Sequence, residues 1–275
     1  TPWWAQSSRA SNRSRRELCR RTSDMSVLFA MDMGNTRAAI GIAGADGLRD
    51  VIRVPIARLG ELSEGLSLIG AEVGASDAPV AASSVNPAAL EEARRLVKQF
   101  TSGPLAVAGK DFPIPIEVDV AEPEKTGPDR LLAALAAWRR NGRPCIVLDF
   151  GTATTVDAVD GSGRFLGGAI VPGVHLMARS LAEGTAALPE VAVEKGASAI
   201  GRDTKSAISN GIYFGHLGLV ERLVEEFRAA LGPEAEVWAT GGGLALLSEG
   251  LACVDHIEPN LVLEGLVIAY RESTK

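Results

Sequence analysis

Two matching segments constrain this chain more than any other feature. LFAMDMGNTRAAIGIAG (28–44) aligns with CIVLDFGTATTVDAVDG (145–161), so that Asp32 falls on Asp149, 117 residues further on. Each segment is an apolar run, then Asp-x-Gly, then small polar residues, then a second apolar run closed by a glycine. An apolar run that stops on an acid and turns through glycine reads as a β-hairpin. Gly34 and Gly151 permit a tight turn and a close approach of backbone to a ligand. Asn35, Thr36, Thr152, Thr154 and Thr155 offer amide and hydroxyl donors. Asp32 and Asp149 stand at strand ends, where a carboxylate can hold a hydrated cation. Either hairpin alone reads equally well as a surface turn held by side-chain hydrogen bonds. Two copies in a duplicated setting favour an anion, and phosphate in particular.

Between and after the hairpins, strand and helix patterns alternate. Strands are expected at 79–85, 114–120, 165–173 and 236–240. Asn86 with Pro87 opens a helix that runs to about Phe100. A second helix is expected over 124–142, with Asp129 at its start, Arg139 and Arg140 at its end and Gly142 as its stop. Thr204 to Leu231 is a long helix, with Ile208, Ile212, Leu219, Leu223, Phe227 and Leu231 near one face, stopped by Gly232-Pro233. A last helix covers 261–272. Alternation of this kind is α/β. With the repeat, it becomes a duplicated α/β fold whose halves, 25–145 and 146–275, enclose a cleft.

The first 24 residues differ from the rest. They carry six arginines against two acids and show no apolar periodicity. An organelle transit peptide, a basic arm for nucleic acid and an upstream extension all fit that composition. The extension is the preferred reading, and the segment is expected to be disordered. The formal net charge of −6 argues against nucleic acid as a partner of the body. No apolar stretch reaches the roughly 18 residues of a membrane span. Three scattered cysteines, Cys19, Cys145 and Cys253, argue for a reducing compartment, hence the cytoplasm. His175, His216 and His256 show no metal-ligand spacing. GxxxxGK[ST] is absent, and so is GxGxxG after a strand, which excludes an ordinary P-loop and a dinucleotide fold by motif.

Two Asp-x-Gly hairpins followed by a strand that enters TGG (240–242) resemble the actin, Hsp70 and sugar-kinase superfamily, an actin-like (ribonuclease H-like) ATPase fold. Within it the chain closely resembles type III pantothenate kinase. The resemblance rests on DMGNT (32–36), GPDR (127–130), DFGTATTVD (149–157), GGAIVPG (167–173), GTAALPEV (184–191), GRDTKSAI (201–208), TGG and PNLVLEGL (259–266). These stretches cover nearly all of 25–270. One departure is Val120, where the family often has tyrosine three residues before the proline, here Pro123.

The resemblance implies ATP-dependent phosphorylation of the pantothenate 4'-hydroxyl, the first step towards coenzyme A. It leaves two alternatives: another small-molecule kinase of the same fold, or an inactive nucleotide-binding regulator. It implies that Asp32 holds Mg²⁺ through water, while Met33, Gly34, Asn35, Thr36, Arg37 and Thr152 contact ATP. Arg37 is equally readable as a solvated arginine. Asp129 is the implied general base, although a helix start lowers a carboxylate's pKa and weakens it as a base. Gly127, Pro128, Asp129, Arg130 and Thr204 are the implied substrate residues. Arg130 suits the pantothenate carboxylate or a salt bridge on a solvated helix face. Thr204 is a substrate contact, a helix cap, or both. Asp149 is the implied site of a monovalent cation (K⁺ or NH₄⁺) or else a second Mg²⁺-facing carboxylate. The resemblance further implies a homodimer whose sites are completed across the interface. Gly211, Gly215 and Gly218 lie inside the long helix, each costing about 1 kcal/mol against alanine. They are expected either at that interface or in close packing within one subunit.

Overall fold

A computed structural model describes residues 27–61, 76–196 and 198–275. The expected disorder of 1–24 falls outside these residues. The first hairpin is β1 (Leu28–Met33) with β2 (Arg37–Gly44), paired antiparallel with Asp32 opposite Ala39. The second is β7 (Cys145–Phe150) with β8 (Ala153–Val159), with Asp149 opposite Thr155. Asp32 and Asp149 are each the fifth residue of a six-residue strand.

The duplication extends to whole sheets. Adding β3 (Gly47–Pro55), β4 (Val80–Ser84) and β5 (Leu105–Val107) gives a first sheet in the order β3-β2-β1-β4-β5. Adding β9 (Arg164–Pro172), β10 (Glu236–Thr240) and β11 (His256–Ile257) gives β9-β8-β7-β10-β11, the same order, in the second. In both, the first three strands are antiparallel and the last two run parallel to the central strand. The short β6 (Glu117–Val118) joins the second sheet beside β9, although it precedes β7 in the chain. This is the duplicated actin-like fold.

Each central strand is apolar on both faces because both are covered. On β1, Phe29, Met31 and Met33 pack into one core, while Leu28 and Ala30 face another. On β7, Ile146, Leu148 and Phe150 face a large core shared with the long helix, while Cys145 and Val147 face a fourth. The outer helices are α1 (Pro87–Val97) on the first sheet, and α3 (Val174–Gly184) with α4 (Thr204–Leu231) on the second. Asn86 caps α1, accepting the Ala89 N–H at 3.1 Å.

Between the sheets lie α2 (Pro128–Asn141) and α6 (Leu261–Ser273), packed on each other, while the short α5 (Leu244–Leu247) follows β10. Every residue of α2 from Leu131 to Ala137 is buried. Leu132 and Leu135 face the first sheet's side, and Ala133, Ala134, Ala136 and Ala137 face β7. Alanines there let the helix sit close to the strand. Gly142, at φ +66°, ends α2 by donating its N–H to the Trp138 carbonyl at 2.8 Å.

Several expectations shift. The helix expected from 124 begins at Pro128, because Pro123–Lys125 forms a separate 3-10 turn. Of the strand expected over 114–120, only 117–118 forms a ladder. Ile114, Ile116, Val118 and Val120 still pack on the core around α2, so the alternating pattern reported one-sided burial correctly although only Val118 of the four lies in the ladder with β9. Asp203, not Thr204, caps α4: its side chain accepts from Ser206 N at 3.0 Å, and Thr204 is the first helical residue. The buried stripe of α4 runs through Ile208, Ile212, His216, Val220 and Val224, with Leu219, Leu223 and Phe227 on its flank. Gly211, Gly215 and Gly218 are exposed, and a Cβ on any of them would meet nothing within 4 Å. Packing within the subunit therefore does not account for them.

The α2–α6 crossing is the tightest constraint. A Cβ on Gly265 would lie 2.6 Å from the backbone carbonyl carbon of Leu132. Backbone cannot swing aside as a side chain can, so Gly265→Ala should destabilise the protein by about 1–3 kcal/mol in urea unfolding. An unchanged midpoint would mean that the two helices are free to separate.

Candidate active site

The two hairpin turns meet at the cleft. Thr36 Oγ1 and Thr152 Oγ1 are 3.0 Å apart, a hydroxyl–hydroxyl hydrogen bond between equivalent loops. Each turn is closed by backbone: Gly34 N–H donates to the Arg37 carbonyl at 3.0 Å, and Gly151 N–H to the Ala153 carbonyl at 3.1 Å. Together they wall a cavity of about 470 Å³. The Gly-rich turn after β10 borders the same space. Gly241 has φ +96°, in the region that favours glycine, and a Cβ there would fall 2.6 Å from the Phe150 nitrogen. Arg53 of β3 reaches across the mouth, donating Nη2 to the Pro259 carbonyl at 2.7 Å and to Asn260 Oδ1 at 2.5 Å.

Asp32, Gly34, Asn35, Thr36, Arg37, Asp129, Arg130, Asp149 and Thr152 all line this cavity. The remaining candidates do not. Met33 is fully buried in the first core, Gly127 and Pro128 lie behind Asp129 at the head of α2, and Thr204 is exposed at the start of α4. Gly127 has a local reason: a Cβ there would sit 2.5 Å from Asp129 Oδ1. The Asp129 side chain folds back so that Oδ1 accepts the Arg130 N–H at 2.9 Å.

Three carboxylates from three elements thus converge. Burial pushes Asp32 from 3.8 up to about 7, reinforced by the charges of Asp129 and Asp149. Burial likewise pushes Asp149 up to about 7, with Asp129 and Asp157 adding to it. Asp129 is also raised by burial, against the pull of the Arg130 N–H and guanidinium. Burial therefore outweighs the hydrogen bonds and charge at the helix start that were expected to lower it.

Among the described residues no group of three or more His, Cys, Asp or Glu side chains forms a metal cage. Carboxylates facing one cavity without closing a cage still fit Mg²⁺, which is commonly held by one or two carboxylates, water and substrate phosphates.

Sequence reading missed several groups. Asp157 is 1% exposed and paired with Arg130, so Arg130 is not on a solvated face. Its signal was present: Thr155 and Asp157 alternate on the β8 face that Asp149 shares. Arg53 gave none, because β3 mixes charged and apolar residues along a half-exposed strand. Thr154 Oγ1 and the buried His216 Nε2, 3.0 Å apart, link the second hairpin to α4.

A duplicated actin-like fold whose paired turns and convergent carboxylates wall one cavity is the class of a phosphotransferase. The type III pantothenate kinase family model matches residues 28–226. The chain is 42% identical over 203 residues to a type III pantothenate kinase of Acidiphilium cryptum, covering 73% of this chain and 75% of the relative. It is 36% identical over 255 residues to the one of Rhodospirillum rubrum, covering 90% of this chain and 99% of the relative. A solved chain from Campylobacter jejuni, described as a Baf family transcriptional activator, superposes with a TM-score of 0.58 at 18% identity, covering 90% of this chain and 98% of that one. At that identity the likeness speaks for the fold alone. The chain belongs to the type III pantothenate kinase family.

The raised carboxylates carry a pH signature. Between about pH 4 and 7, folded Asp32 holds a proton that the unfolded chain releases, so stability falls as pH rises through that window. In chelated buffer, Asp32→Asn should melt about 2–4 °C above the parent at pH 8, with the gap closing by pH 5. A lower melting temperature at pH 8 would show that the ionised carboxylate is stabilised where it stands.

Proposed function

We propose that this chain transfers the γ-phosphoryl group of ATP to the 4'-hydroxyl of pantothenate, giving 4'-phosphopantothenate for coenzyme A synthesis. Family membership supports the reaction. One structural observation carries the site: the carboxylates of Asp32, Asp129 and Asp149 face a single cavity between two hairpin turns that are hydrogen-bonded to each other.

Phosphoryl transfer needs alignment and charge neutralisation more than covalent help. The amides and hydroxyls of Gly34, Asn35, Thr36 and Thr152 hold phosphate oxygens, with Arg37 beside them and the Met33 backbone supporting the first turn. Asp32 would hold Mg²⁺ through water, and the ion would supply neutralisation of phosphate charge. Asp129, raised by burial, orients the alcohol and accepts its proton as the bond to ADP breaks. Arg130 takes the pantothenate carboxylate, with Gly127 and Pro128 setting the head of α2. Asp149 holds a monovalent cation, K⁺ or NH₄⁺.

The protein works as a homodimer in the cytoplasm, with no nucleic-acid or membrane partner. Two observations support the dimer. The glycine face of α4 is open. Thr204, an implied substrate residue, is exposed and outside this chain's own cavity, so it serves the neighbouring subunit's site. No helix among the described residues is long and apolar enough to cross a membrane.

Phosphopantothenate formation from pantothenate, ATP and Mg²⁺, with and without K⁺, tests the reading. Asp129→Asn should reduce kcat by at least about 10²-fold while ATP still binds. Full turnover by that variant would remove Asp129 from the mechanism.

A further inference from the structure

Arg130 is held more firmly than a surface ligand would be. Its Nε and Nη2 both donate to Asp157 Oδ1, at 2.9 and 2.5 Å. Its guanidinium carbon lies 5.4 Å from the centroid of Phe165, a residue with no exposed surface. The side chain of Arg130 is 17% exposed and that of Asp157 only 1%. Asp157 is itself held, because Thr155 Oγ1, on the cavity wall, donates to its Oδ2 at 3.0 Å. One edge and one face of the guanidinium are therefore occupied by buried groups. Nη1 has no protein partner among the described residues, on a side chain that lines the cavity.

Room for this arrangement comes from Gly168 on β9. A Cβ there would lie 2.5 Å from Asp157 Oδ1 and 2.9 Å from Arg130 Nη2. Asp157 does not line the cavity, so it reaches a bound acid through Arg130, and its charge is felt otherwise at Asp149.

We propose that Asp157, hydrogen-bonded by Thr155 and given space by Gly168, is a positioning residue that makes Arg130 a fixed, one-edged receptor for the carboxylate end of the acid substrate. The inference rests on the reading of Arg130 as the carboxylate ligand and extends it to the groups that decide acid over neutral substrate. An untethered arginine would lose side-chain entropy on each binding event, whereas a guanidinium held by a buried ion pair has already lost it. A buried pair of this kind contributes little net stability, so orientation is its better-founded role.

Charge and orientation predict opposite outcomes. Neutralising Asp157 makes the surroundings more positive, which by itself favours an anionic substrate. Losing the tether lets the guanidinium turn, which disfavours it.

The test compares pantothenate with the analogue in which an alcohol replaces its carboxylate, using the full chain. Asp157→Asn should lower kcat/KM for pantothenate about tenfold, chiefly through KM, and change the analogue's kcat/KM, or its inhibition constant, by less than about twofold. KM for ATP should stay put. Thr155→Val removes one hydrogen bond, keeps the charge and shape, and should shift the same preference about two- to fivefold. This second variant decides the matter if Asp157→Asn fails to fold. Equal losses for both compounds, or a gain in preference for pantothenate, would overturn the proposal. A parent protein that does not phosphorylate pantothenate would instead overturn the functional reading on which it rests.

Discussion

The packing of α2 between the two sheets is the contact on which the rest depends. Its middle is buried on all sides, with Leu132 and Leu135 towards one sheet and Leu131 with four alanines towards the other. A helix with no free face cannot rotate or slide without opening a core. Its N-terminal residues, Asp129 and Arg130, are therefore delivered to the cleft in one orientation. The crossing of α6 at Gly265, close against the Leu132 backbone, sets its depth as well. Two duplicated halves would otherwise be two sheets with a flexible seam.

Around that seam the electrostatics are deliberately unbalanced. Three carboxylates face one cavity, and burial raises all three. A protein that kept them for stability would have paired each with a cation. Here the well-paired acid is Asp157, behind the wall, where its partner is Arg130. The unpaired ones face the space where phosphates and a metal ion would stand. Repulsion among them is relieved by a proton at lower pH, or by a cationic occupant. Pinning contacts from the first sheet, Thr36 to Thr152 and Arg53 to Pro259 and Asn260, hold the cavity walls in place meanwhile.

Much of this was legible before any coordinates. The repeat predicted equivalent hairpins, and the sheets extend the equivalence to strand order. Strand 236–240 and helix 204–231 match their expected bounds, because both are bracketed by punctuation: Gly232-Pro233 between them and TGG after the strand. Where punctuation was weak, reading failed. The half-exposed β3 mixes charges with apolar residues and was not foreseen, and neither was α3. Segment 114–120 shows the reverse error, since its alternation reflects one-sided burial rather than a ladder.

By itself the sequence determined the local chemistry: which turns could bend around an anion, where helices begin and stop, and which strands need cover on both faces. Those properties follow from backbone sterics and side-chain period, which act over a few residues. Tertiary structure alone decided which charged groups share a space. Asp32, Asp129 and Asp149 come together, Asp157 withdraws behind Arg130, and Thr204 stays outside. Desolvation and Coulomb forces depend on distances between elements scores of residues apart, and those distances exist only once α2 and α6 have closed between the sheets.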